Sequence, residues 1–163
     1  MNRRDFVRFS LGTGALAAAV PGLARAMTAG AATGAATGAA KPIPITVYKS
    51  PSCGCCGEWV KYMDKNGFQT KVIPMEDVTT MKQTAGVPQK LYSCHTALVG
   101  AYVVEGHVPA DLIKKMLDEK PKIVGLSVAG MVQGPPGMDE ATKKPYDVIA
   151  FDRNGKTSVY AHR

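Results

Sequence analysis

From about Lys41 onward the apolar positions fall into short runs, and each run predicts one element. Ile45-Thr46-Val47-Tyr48 is rich in β-branched and aromatic residues and stops at Ser50-Pro51-Ser52, which predicts a strand running into a tight loop. Between Glu58 and Asn66 the residues Trp59, Val60 and Met63 recur at helical spacing, and Asn66-Gly67 supplies the stop. Gln69 to Met75 predicts a second strand ending near Pro74, and Val78 to Ala85 a short helix closed by Gly86-Val87-Pro88. Thr96 to Val99 and Tyr102 to Val104 are separated by Gly100-Ala101, the pattern of an antiparallel hairpin. A helix from Pro109 to Glu119 follows, with Pro109 suited to its first turn and Leu112, Ile113, Met116 and Leu117 as its apolar stripe. Leu126 to Met138 reads as a Gly- and Pro-rich loop. Tyr146 to Phe151 and Ser158 to Tyr160 flank Asp152-Arg153-Asn154-Gly155, predicting a last hairpin that extends the sheet or lies beside it.

The resulting order is β-α-β-α-β-β-α, with a Cys-x-x-Cys where the first helix opens. That layout predicts an α/β fold of thioredoxin-like arrangement: a central mixed sheet flanked by helices, with an added C-terminal hairpin. One departure changes the picture. Such folds usually carry a cis-proline just before the third strand, facing the dithiol, whereas Cys94-His95 precedes Thr96 here. The place that ordinarily meets a substrate chain becomes a place for a ligand.

The first forty residues have another character. Residues 1–26 run from Arg3-Arg4 and Phe6 through the uncharged stretch Phe9 to Leu23 to Ala24-Arg25-Ala26, which predicts a cleaved twin-arginine signal and a periplasmic destination. The stretch holds Gly12, Gly14, Pro21 and Gly22 and is shorter than the ~20 residues of a spanning helix, so no membrane attachment is expected after cleavage. Residues 27–40 are almost only Ala, Gly and Thr, too poor in large apolar groups to repay ordering, and predict a flexible tether. Residues 41–163 then form the thioredoxin-like domain. At ~120 residues such a domain buries roughly two-thirds of its unfolded surface, so it is expected to fold on its own.

Charge narrows the partners. Removing Arg3, Arg4, Arg8 and Arg25 together with Asp5 lowers the net charge from +7 to +4. The remaining lysines are scattered, with only the short pairs Lys114-Lys115 and Lys143-Lys144, so no nucleic-acid face is predicted.

The four cysteines carry the chemistry. Cys53, Cys55 and Cys56 fall within four residues at a helix N-terminus, where partial positive charge and free amides favour thiolate, and the expected fold brings Cys94 to the same end. Three readings compete. A structural disulfide suits an oxidising compartment but leaves the adjacency of Cys55 and Cys56 unexplained. A thiol-disulfide oxidoreductase using Cys53 and Cys56 suits the Cys-x-x-Cys spacing, although Cys55 and Cys94 would invite wrong pairings. Metal binding employs all four sulfurs, and soft thiolates with thioether and imidazole nearby select Cu(I), with zinc the lesser candidate because structural zinc draws on well-separated ligand pairs. Adjacent thiolates that bridge ions predict a multinuclear cluster.

His95, next to Cys94, stands at the mouth of the expected site, and His107 lies in the turn before a helix, where a capping role competes with ligation. Met131 and Met138 sit in a loop with little core to fill, so their thioethers are candidates for copper. Met63 and Met116 fit helix stripes and His162 lies near the chain end; none of these three is counted with the site.

Taken together, Cys53-Gly54-Cys55-Cys56-Gly57, Ser93-Cys94-His95-Thr96, Glu105-Gly106-His107-Val108-Pro109 and the pairs Gly130-Met131 and Gly137-Met138 resemble the periplasmic copper-resistance proteins of the CopG family. The resemblance runs from about Ile45 to His162. It implies a cysteine-bridged multi-copper site with Cys53, Cys55, Cys56 and Cys94 as ligands and His95, His107, Met131 and Met138 nearby. It also implies a role in binding periplasmic copper or interconverting Cu(I) and Cu(II), with copper efflux or oxidase components as partners. No general base, phosphate loop or triad is visible, which leaves a binding protein and a copper oxidoreductase both open.

Overall fold

The computed structural model describes residues 41–138 and 143–163. The signal expected over residues 1–26 and the tether over residues 27–40 lie outside the described residues. Seven strands, β1 (Ile43–Lys49), β2 (Phe68–Pro74), β3 (His95–Val99), β4 (Tyr102–Glu105), β5 (Gly125–Ser127), β6 (Asp147–Phe151) and β7 (Thr157–His162), form one mixed sheet in the order β2-β1-β3-β4-β5-β6-β7. Three helices accompany it: α1 (Gly54–Lys65), α2 (Thr79–Thr84) and α3 (Ala110–Glu119). The pairs β1/β2 and β4/β5 are parallel and the others antiparallel.

Because successive strand side chains point to opposite faces, the register sorts the core into two layers. One transverse row runs Val47, Ala97, Val104, Leu126, Ala150 across five strands, and all five are buried. Trp59 and Met63 of α1 and Leu112, Ile113 and Met116 of α3 belong to the same cluster, so both long helices cover that face. The neighbouring row, Thr96, Glu105, Ser127 and Ile149, points the other way, where Val87, Leu91, Val103 and Phe151 make a second, smaller cluster.

Two elements differ from the sequence-based expectation. Helix α1 opens at Gly54 rather than Glu58, with Cys53 as its extended N-cap, so Cys55 and Cys56 occupy the first turn. Strand β5 falls where a loop was predicted from Leu126. Three residues are too few to display alternation, and Gly125 lies so close to the Val103 backbone that only a strand without a side chain there can pair with β4. The last hairpin extends the sheet through β5/β6 pairing.

Candidate metal centre

The sheet order assembles the site. Strand β1 ends at Lys49 and leads into the Ser50–Cys53 loop; antiparallel β3 begins beside it, with His95 paired to Lys49. Strand β4 returns antiparallel to β3 and ends at Glu105, so Gly106-His107 comes back to the same edge. Three segments far apart in sequence therefore converge on the first turn of α1. The Cys53 N–H donates to Ser50 O at 3.2 Å and the Gly57 N–H to Cys53 O at 3.3 Å, which closes the loop onto the helix.

Cys53 and Cys56 are joined as a disulfide, and Cys55 and Cys94 are free. The sulfurs of Cys53 and Cys55 are 3.5 Å apart. All four Sγ atoms lie within 4.8 Å of one another, and so do the donor atoms of a second group, Cys56, Cys94, His95 and His107. The structure thus gathers six of the eight residues predicted for the site. Cys53 and Cys56 become donors only once their disulfide is reduced. Met131 is 57% exposed, and Met138 follows Gly137, which packs on the first turn of α1.

Hydrogen bonding orients the imidazoles. His107 Nδ1 lies 2.7 Å from Pro136 O, and since a carbonyl only accepts, that nitrogen carries the proton. Its Nε2 lone pair is then turned toward Cys94 Sγ at 3.1 Å. A carbonyl that accepts from the N–H of one ring nitrogen and leaves the other free is the usual support for a histidine ligand. His95 Nδ1 lies 3.3 Å from the same sulfur, while its Nε2 is buried with no hydrogen-bond partner. The His95 ring sits between Trp59, with centroids 4.4 Å apart, and His107, at 5.1 Å.

Burial decides the protonation states. Cys94 is pushed up to about 12, first by burial and then by neighbouring Cys55. Cys94 lies opposite the helix end rather than on it and is only partly exposed. His95 is held well below the ordinary value of 6.5 by burial and, after that, by His107, Lys82 and Lys49. His107 is lowered by burial, which the Pro136 carbonyl partly opposes.

A stability profile follows. Below about pH 6.5 an unfolded chain protonates both histidines more readily than the folded chain does, so the unfolded state binds more protons and stability falls as pH drops. On the alkaline side the unfolded Cys94 thiol ionises near 9.0 and the folded one near 12, so stability also falls as pH rises above 9. Melting of the metal-free chain at pH 5, 7 and 10 is expected to peak at pH 7. A His107→Asn chain should show a smaller drop between pH 7 and pH 5.

Two glycines let the segments meet. Gly106 has φ +70°, and a side chain there would strike Ser93 and the Val128 carbonyl. At Gly137, φ +83°, a Cβ would lie 2.6 Å from Trp59 N and 3.0 Å from Cys55 O. Gly137→Ala is expected to destabilise the fold by about 2–3 kcal/mol in urea unfolding and to lift the Pro136 carbonyl from His107. Unchanged stability would mean that the loop yields freely.

Sequence reasoning missed Lys82, whose ammonium is buried under this edge, and read Glu105 only as part of a motif. A charged residue ending an otherwise apolar strand, Tyr102 to Glu105, was the one available signal.

The family described as "Protein of unknown function, DUF411" matches residues 91–138, the segment that holds Cys94, His95, His107, Met131 and Met138. Two solved structures match with 39% identity over 75% of this chain and 98% of theirs: "Copper resistance protein copG- Form 2", with a TM-score of 0.71, and "Copper resistance protein copG- Form 1", with 0.70. The chain belongs to the CopG family. The CopG match takes in nearly all of each solved chain, so the likeness extends well beyond the DUF411 segment. Curated proteins gave no match. Among the described residues, no helix is long and apolar enough to cross a membrane.

Proposed function

We propose that this chain is a periplasmic copper-resistance protein that holds Cu(I) as a multinuclear thiolate cluster on a thioredoxin-like scaffold. The observation that carries the reading is the convergence of four cysteine sulfurs within 4.8 Å of one another, in a chain 39% identical to copper-resistance proteins. Copper is cargo here. The donor set suits it: soft sulfur dominates, and a buried imidazole nitrogen of His95 stands without a protein partner.

The chain's own residues perform four tasks. Reduction of the Cys53–Cys56 disulfide frees two sulfurs at the helix end, where the dipole and free amides stabilise thiolate. Cys55, in the same turn, and Cys94, from the opposite strand edge, supply the other two, and adjacent thiolates can each serve more than one ion. His107, with its proton fixed on Nδ1, offers Nε2 next to Cys94. Trp59 and the Pro136–Gly137 segment cover one side of the site, which strengthens the charge interactions there. Met131, exposed at the rim, is read as a capture ligand and Met138 as a closer one. Export by the twin-arginine route and exchange with copper efflux or oxidase components complete the reading, and interconversion of Cu(I) and Cu(II) belongs to it as a further capacity.

Anaerobic titration of the reduced chain with Cu(I), beside a free-thiol count on the metal-free form, tests this. Several coppers per chain with four thiols protected support the cluster; failure to retain copper defeats it. A second reading, thiol-disulfide exchange, is favoured by the Cys53–Cys56 disulfide itself. It requires catalysed reduction of a protein disulfide that survives Cys94→Ser.

A further inference from the structure

Beneath the site, on the sheet face away from Trp59, lies a buried ion pair that the copper reading does not use. Lys82 of α2 and Glu105, the last residue of β4, are 3% and 0% exposed, with Nζ and Oε1 2.6 Å apart. The same Oε1 accepts the Ser93 N–H at 2.6 Å. Oε2 accepts the Thr96 hydroxyl at 2.7 Å, and that hydroxyl oxygen accepts in turn from Lys82 Nζ at 3.2 Å. One carboxylate therefore gathers donors from both sides of Cys94-His95.

We propose that the Lys82–Glu105 pair is a positioning device for the metal centre, holding the Cys94 segment in register with His107. The inference rests on the copper reading for its purpose and on hydrogen bonds alone for its geometry. Three observations carry it. Cys94 precedes the first rung of the β3 ladder, where His95 meets Lys49 and Thr96 meets Glu105, so before that rung its backbone is held by a single bridge from Ser93 to Gly130 and by the Glu105 carboxylate. The bond from Ser93 N–H to Glu105 fixes the residue on the other side of Cys94, and Glu105 stands two residues before His107 on the same strand end. The carboxylate thus ties the two segments whose side chains meet at 3.1 Å, Cys94 Sγ and His107 Nε2.

An ion pair is a costly way to fill this space, because removing both charges from water offsets most of their attraction, and a buried apolar pair commonly serves stability as well or better. What an apolar pair cannot do is accept the Ser93 N–H and the Thr96 hydroxyl together. Metal–donor distances tolerate errors of only about 0.2 Å, so a small drift of Ser93 reaches the site through Cys94.

The test separates positioning from stability. In the full chain, Lys82→Met with Glu105→Leu replaces the pair by apolar residues and is expected to melt within a few degrees of the parent. Its Cu(I) affinity, measured against a colorimetric Cu(I) chelator, should fall about tenfold, the low end of what disturbing the surroundings of a metal site costs. In a Cys55→Ser background, oxidised and metal-free, Cys94 is the remaining free thiol, and its alkylation should speed up by a similar factor of about ten. Lys82→Met with Glu105→Gln keeps an acceptor for Ser93 and should recover most of both properties. Parent-like affinity and alkylation in the Met/Leu chain would overturn the proposal. If that chain does not fold, Glu105→Asp decides, since it keeps the charge but shortens the reach: lowered affinity supports positioning and parent affinity refutes it. If the parent itself binds no Cu(I), the copper reading fails separately, and the alkylation rates alone judge the brace.

Discussion

A Cys94→Ser chain folds normally and loses at least about a hundredfold in Cu(I) affinity, the upper range for damage to a metal site. Cys94 is expected to matter this much because it belongs, with Cys56, to both donor groups that the fold assembles, and because it alone comes from the opposite strand edge. Its sulfur is approached by two imidazole nitrogens, at 3.1 and 3.3 Å. A serine hydroxyl is a hard, weakly ionised donor that Cu(I) does not favour. Stability should change little at neutral pH, since a partly buried neutral thiol is exchanged for a neutral hydroxyl of similar shape. The measurement is chelator competition on the reduced chain beside thermal melting. Retained affinity with a normal melt would show that Cys53, Cys55 and Cys56 bind copper by themselves, and that Cys94 has some other role.

Trp59→Ala is expected to cost about 3–5 kcal/mol of folding stability, in the range for truncating a fully buried aromatic. Trp59 is 0% exposed, belongs to the main core cluster, and donates its indole N–H to Val108 O at 3.0 Å. Truncation leaves a cavity between α1 and the sheet and an unsatisfied carbonyl just after His107. It also removes the ring that packs at a tilt against His95, so a second consequence is expected at the site. Urea unfolding of the metal-free chain reads the stability. Adding Cu(I) should restore part of the loss, because a ligand that binds only the folded state stabilises it by mass action. A loss below about 1 kcal/mol would mean that the cavity collapses almost completely.

The two expectations sit at opposite ends of what the chain reveals before it folds. Trp59 was readable as a core residue from its spacing with Val60 and Met63, since a helix repeats its buried face within four residues and periodicity records that directly. The same local logic placed Cys53, Cys55 and Cys56 at a helix start, although the helix proved to open at Gly54 and to take two of them into its first turn. Cys94 was linked to them only through an assumed strand order. The Cys53–Cys56 disulfide follows the Cys-x-x-Cys spacing, whereas that Cys94 is the sulfur raised toward 12 depended on its burial.

The sequence by itself therefore determined the elements whose signals lie within a few residues of one another. These include the strands of the β1 and β3/β4 regions, helices α1 and α3, the final hairpin, and the cysteine-rich turn. The tertiary structure decided the contacts that span the chain. His107 meets Cys94 across 13 residues, the Pro136 carbonyl fixes His107 across 29, and Lys82 finds Glu105 across 23. Strand β5 exists because β4 and β6 offer it partners on both sides, not because its three residues announce a strand. The physical reason is the same in each case: periodicity encodes which face a residue takes, whereas sheet order and register, set by burial of the whole core, choose what that face meets.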